Sequence, residues 1–122
     1  EFWYYFEESG RMVTGWKQLG GIWYFFKDSG RMAEKEHIED KGYTYYLGEG
    51  GHMAKGWTML DGEYYYFNQS FNCQPGGSML KNHWISENGK RFYLKEDGKM
   101  ARSETLIISG VEYTFSESGA VE

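Results

Sequence analysis

Residues 16–32 read WKQLGGIWYFFKDSGRM, and their order decides the fold. Five of the seventeen residues are aromatic, four of them consecutive at 23–26, and the cluster lies between a Gly20-Gly21 pair and a turn ending in Met32. A glycine pair flanked by β-forming aromatics is the preferred sequence for a two-residue hairpin turn. With Gly20-Gly21 as that turn, Trp16 lies opposite Phe25 and Gln18 opposite Trp23, all on one face. Leu19, Ile22, Tyr24 and Phe26 occupy the other face, because strand side chains alternate with period two.

Outward from this stretch the same order recurs. Aromatic-rich clusters end at Phe6, Phe26, Leu47, Phe67, Leu94 and Phe115. Each is followed by a glycine-bearing turn and then by Met12, Met32, Met53, Met79, Met100 or, in the sixth slot, Val121. A second glycine precedes each complete cluster, in Gly20-Gly21, Lys41-Gly42, Asp61-Gly62, Asn88-Gly89 and Ser109-Gly110. The chain therefore divides into six repeats, approximately 1–15, 16–35, 36–56, 57–82, 83–103 and 104–122, within one repeat module. Units this short cannot bury a face alone and must stack on their neighbours. The expected fold is all-β, a solenoid of stacked β-hairpins with no helix longer than a turn or two. Because the pattern is already under way at Glu1, the expectation is a fragment of a longer surface or secreted protein.

Composition agrees with a stack rather than a layered core. Aromatics make up 20% of the 122 residues, with 17 Gly and one Pro, whereas layered cores are built mainly from branched aliphatics. The net charge of −5 argues against nucleic acid, which needs a basic footprint, and no apolar run has membrane-spanning length. Cys73 is the single cysteine, so no internal disulfide forms. His37, His52 and His83 fall in three different repeats and in no nucleophile or metal-ligand motif, and the carboxylates lie mostly in turns. No catalytic residues, metal ligands or cofactors are expected.

Carried along the chain, the Leu19 face stays apolar: Ile38, Tyr43, Tyr45 and Leu47; Leu60, Tyr65 and Phe67; Ile85, Phe92 and Leu94; Leu106, Ile108, Val111, Tyr113 and Phe115. The other face varies, from Trp16, Trp23 and Phe25 to His37, Thr44 and Tyr46, then Trp57, Tyr64 and Tyr66, then Trp84, Arg91 and Tyr93, and finally Thr105, Glu112 and Thr114. The first face is expected to be the core, burying Leu19, Tyr24, Tyr45, Phe67, Phe92 and Phe115. Trp16, Trp57 and Trp84 are expected to stay half-exposed in grooves between hairpins.

GWKQLGGIWYFFKDSGRM and GWTMLDGEYYYF resemble the cell-wall-binding repeat family, over the whole chain and in six tandem copies. That family includes the choline-binding modules of bacterial surface proteins and phage lysins, and it is related to glucan-binding repeats and to the C-terminal repeats of clostridial toxins. The resemblance implies a left-handed hairpin solenoid, a secreted or cell-surface setting in a Gram-positive bacterium or its phage, and ligand binding without catalysis. It implies choline boxes at Trp16, Trp23 and Tyr46 and at Trp57, Tyr64 and Tyr93, with Met32 and Met79 as fourth walls. Converging ring faces stabilise a quaternary ammonium that cannot donate a hydrogen bond. Trp84 and Arg91 are weaker candidates, for an acidic or sugar ligand, and the grooves at His37 and Thr105 are expected to be empty of choline.

The partner is then choline-bearing teichoic acid or a surface glycan, with no membrane insertion; a homodimer through the terminal repeats also fits. The insertion NQSFNCQPGG at 68–77 keeps the glycan reading open. A structural spacer with vestigial sites is the third reading.

Overall fold

The computed structural model describes residues 3–69 and 74–122; Cys73 and the centre of the 68–77 loop lie outside the described residues. Among these, ten five-residue strands pair as five antiparallel hairpins. They are β1 (Gly15–Leu19) with β2 (Ile22–Phe26), β3 (Glu36–Asp40) with β4 (Tyr43–Leu47), β5 (Gly56–Leu60) with β6 (Glu63–Phe67), β7 (His83–Glu87) with β8 (Lys90–Leu94), and β9 (Glu104–Ile108) with β10 (Val111–Phe115). The helical content of the described residues is one 3-10 turn at Glu49–Gly51.

The register follows the turns. Trp16 pairs with Phe25 and Gln18 with Trp23, and the same offset recurs as Trp57 with Tyr66 and Trp84 with Tyr93. All five turns carry positive φ at both central residues, as at Asn88 (51°) and Gly89 (76°). That conformation matches the right-handed twist of the flanking strands and so fixes which residues oppose one another.

Each second strand then runs into a repeated loop. In the fifth repeat the Lys95 amide donates to the Lys99 carbonyl at 2.9 Å and the Gly98 amide to the Lys95 carbonyl at 2.9 Å. This loop folds the chain back so that the last residue of the cluster bridges the repeat methionine or valine: Phe26 to Met32, Phe67 to Met79, Leu94 to Met100, Phe115 to Val121. The loop glycine fits against the methionine of the preceding repeat. A Cβ on Gly51 (φ 80°) would stand 2.7 Å from Met32 Cε, and one on Gly119 (φ 97°) 2.5 Å from Met100 Cε. These sites therefore exclude a side chain on both steric and backbone grounds.

The chain forms two compact units, Glu1–Ala54 and Lys55–Glu122. In the first, buried Val13, Phe26 and Met32 pack with Tyr5 and Tyr24. In the second, Leu80, Leu94 and Met100 pack with Trp57, Tyr66, Ile85 and Phe92. Of the six residues expected in the core, Tyr45, Phe67 and Phe115 are buried, but Leu19, Tyr24 and Phe92 are only half-buried. The largest fully buried side chains among the described residues are the strand ends Leu47, Phe67, Leu94 and Phe115, where the loop folds back over them. Trp16, Trp57 and Trp84 are half-buried, as expected.

Charged staples tie these loops to the following strand. Lys27 Nζ and Arg31 both pair with Glu36 at the start of β3, and Lys95 Nζ pairs with Glu104 at the start of β9 at 3.0 Å. Burial pushes the Glu36 pKa up. The Lys27 hydrogen bond, the Glu34 amide and the charges of Lys27 and Arg31 outweigh this, and the net pKa lies below the ordinary carboxylate value. A lowered folded-state pKa contributes stability above the unfolded value that is lost as pH falls through the folded one. Thermal melts between neutral pH and pH 3 should therefore show Glu36→Gln less stable at neutral pH by about 0.5–1 kcal/mol, with the gap closing in acid. A constant gap would mean that the staple acts by packing alone.

Candidate ligand-binding grooves

Within each unit, successive hairpins stack front to back, so that the Trp face of one meets the opposite face of the next. Trp16 on β1 therefore meets Tyr45 on β4, ring centres 4.9 Å apart at 65°, as well as its cross-strand neighbour Phe25 at 4.9 Å. Trp57 on β5 meets Phe92 on β8 at 5.5 Å and 72°, with Tyr64 at 6.4 Å and Tyr66 at 5.1 Å, both nearly perpendicular to the indole. Trp57, Tyr64, Phe92, Met100 and Ser118 line an open pocket of about 300 Å³. The Met100 amide donates to the Tyr64 carbonyl at 2.9 Å, clamping the methionine beside that ring.

Both grooves carry a carboxylate at the indole edge. Trp16 Nε1 donates to Asp40 Oδ2 at 3.2 Å, and Trp57 Nε1 donates to Glu87 Oε1 at 3.3 Å. Asp40 and Glu87 hold the same place, the last residue of the first strand in the following hairpin. Each acceptor fixes the orientation of its indole and puts negative charge at the rim of a pocket lined by ring faces. Burial, then the charge of Asp40 and the neighbouring Tyr43, push the Tyr45 pKa above its ordinary value, so its hydroxyl stays neutral. Aromatic faces beside a carboxylate suit an organic cation, which is attracted by both.

The structure brings together Trp57 and Tyr64, and it places Trp16 and Trp23 on one face of their hairpin. The third and fourth walls differ from the sequence expectation. Tyr46 meets His37 edge-on at 5.0 Å and 61°, and Tyr93 meets Trp84 at 4.9 Å and 60°; the rings of the following hairpin that meet Trp16 and Trp57 are Tyr45 and Phe92. Met79 packs beneath Gly98 and Tyr65, and the methionine beside Trp57 and Tyr64 is Met100. Met32 lies against Gly51 and Tyr24. With Trp3, Tyr5 and Tyr24 it lines a further apolar pocket of about 220 Å³.

The reason is geometric. Period-two alternation assigns each side chain to a face, and front-to-back stacking turns the third residue of the second strand (Tyr45, Phe92, Tyr113) toward the Trp of the preceding hairpin, where it forms a groove wall. The signal was present in the sequence, since that slot is aromatic in every complete repeat.

The other steps are built differently. Arg91 takes the place of Trp23 and Tyr64, and its Cζ lies 4.2 Å from the Trp84 ring centre. At the last hairpin the Thr105 and Thr114 hydroxyls bond to each other at 3.1 Å.

These observations define a hairpin-repeat module with aromatic, carboxylate-edged grooves between its repeats. The Choline-binding repeat profile matches residues 1–37, and the Putative cell wall binding repeat profile matches residues 55–70 and 82–100. The chain belongs to this family of choline-binding and cell-wall-binding repeats. It is similar to choline binding protein F of Streptococcus pneumoniae, with 32% identity and a TM-score of 0.82 over 99% of this chain and 38% of that one. Choline binding protein F was also solved in the presence of a peptidoglycan analogue. CbpJ of the same organism gives 31% identity and a TM-score of 0.84 over 99% of this chain and 39% of that one. The cell wall endolysin of phage Cp-1, solved in complex with choline, gives 27% and 0.66 over 99% of this chain and 34% of that one. The chain thus spans less than two fifths of each of these structures. No protein of curated function matches it.

Proposed function

We propose that this chain is a non-catalytic module that attaches to the bacterial cell wall or surface by taking choline groups of teichoic acid into the Trp16 and Trp57 grooves. The observation that carries this reading is the Trp57 groove: an indole, a phenol ring and a phenyl ring around a pocket, a methionine clamped beside them, and Glu87 on the indole edge. The Trp16 groove repeats the indole, the facing ring and the carboxylate. The similar endolysin of phage Cp-1, solved in complex with choline, supports the choice of ligand. Cell-wall-binding repeats imply a cell-surface or wall-associated setting. A catalytic domain, if the parent protein has one, lies outside these repeats. Nothing among the described residues supports the homodimer.

A second reading, a glycan of the wall, is favoured by the peptidoglycan analogue present with the similar choline binding protein F and by Ser118 at the rim of the Trp57 pocket. One experiment separates the readings. Each of the five tryptophans contributes one indole N–H signal to a proton–nitrogen spectrum, assignable by single Trp→Phe variants. Titration with choline chloride should move the Trp16 and Trp57 signals, with a Kd on the order of 1 mM, since about 4 kcal/mol is what three ring contacts supply. Movement with N-acetylglucosamine oligosaccharides instead would favour the glycan reading. A chain that responds to neither is a spacer.

A further inference from the structure

The hairpin pair β7–β8 and β9–β10 forms a groove with the same framework as the Trp57 groove. Trp84 holds the Trp57 place. Tyr113 holds the Phe92 place, its ring centre 4.8 Å from Trp84 at 66°. The backbone clamp is also repeated, with the Val121 amide donating to the Arg91 carbonyl at 3.0 Å where the Met100 amide donates to Tyr64 at 2.9 Å. The difference lies in what fills the slot. The Arg91 guanidinium carbon stands 4.2 Å from the Trp84 ring centre and 5.5 Å from that of Tyr113. Among the described residues no carboxylate lies within ion-pair distance of Arg91. Its charge therefore rests on ring faces rather than on an acid. The carboxylate place at the indole edge, Asp40 and Glu87 in the other two grooves, is here Ile108.

A guanidinium over an indole face satisfies the same quadrupole attraction that would hold an external organic cation. It occupies the space, and it repels a second positive charge at short range. We propose that Arg91 is a built-in occupant of the Trp84 groove, a specificity-determining residue that closes this step to cationic ligands and so sets how many sites the repeat array offers. The inference rests on the choline reading of the Trp16 and Trp57 grooves.

The test is the choline chloride titration of the indole signals, applied to the parent, to Arg91→Tyr and to Arg91→Trp; the two variants restore the residue types found at Tyr64 and Trp23. In the parent, the Trp84 signal should respond at least about tenfold more weakly than that of Trp57. In Arg91→Tyr it should respond in the same concentration range as Trp57. If Arg91→Tyr does not give a dispersed spectrum, Arg91→Trp gives the answer. A folded variant whose Trp84 signal stays silent while those of Trp16 and Trp57 respond overturns the inference and leaves the functional reading intact. A Trp84 response in the variant with no response of Trp16 and Trp57 in the parent would show that Arg91 closes its own groove but would overturn the reading and, with it, the count of sites. Silence of all three overturns both.

Discussion

A chain carrying Trp16→Leu and Trp57→Leu together should pass through a choline-bearing matrix unretained, whereas the parent is held. Leucine is the right replacement because neither indole is a free surface group. Trp57 packs on the Leu80, Leu94 and Met100 cluster, and Trp16 touches Phe25 and Tyr45, so alanine would mix lost binding with lost packing. Leucine keeps much of the apolar contact and removes the ring faces, together with the N–H groups that Asp40 and Glu87 accept from. Each cation–π contact contributes only about 0.5–2 kcal/mol. Retention of the parent must then come from several weak sites engaging one polymer, and avidity of that kind disappears when simultaneous engagement is lost. Each single variant should elute between the parent and the double variant. Circular dichroism melts would confirm that the double variant keeps its hairpins. A folded double variant held as firmly as the parent would mean that these grooves are not the sites.

Replacement of Phe67 by alanine should be the most damaging single change to the fold. The side chain is fully buried at the end of β6, where the chain bridges to Met79. Removing a buried phenylalanine costs about 3–5 kcal/mol through lost transfer energy and the cavity left behind. At roughly 0.05–0.15 kcal/mol per residue, that is a large part of the whole stability of a unit the size of Lys55–Glu122. The midpoint of urea unfolding should fall accordingly. By contrast Ile107→Ala, at the most exposed large apolar side chain among the described residues, should change it by less than about 0.5 kcal/mol. Equal effects at the two positions would refute the assignment of the strand ends as the core.

The repeat, the hairpins and their register were legible in the sequence because they rest on short-range chemistry. Two-residue turns such as Asn88-Gly89 and Asp61-Gly62 choose their own backbone conformation, and alternation then fixes which side chains share a face. The same local logic separated Trp16, Trp23, Trp57 and Tyr64 from the opposite face. It stopped there, because alternation within one hairpin says nothing about which face of the next hairpin it will meet. Front-to-back stacking exchanged Tyr46 for Tyr45, Tyr93 for Phe92 and Met79 for Met100. It also drew Asp40 and Glu87 to indoles 24 and 30 residues away in the chain, a distance at which no local spacing rule operates. In the sequence Arg91 reads as a residue opposite Trp84 and beside Tyr93, a weaker candidate for an acidic or sugar ligand. Only the packing of β8 against the rings of Trp84 and Tyr113 gives it the place of a bound cation, because a cation–π contact depends on where the ring faces point and not on the order of the residues.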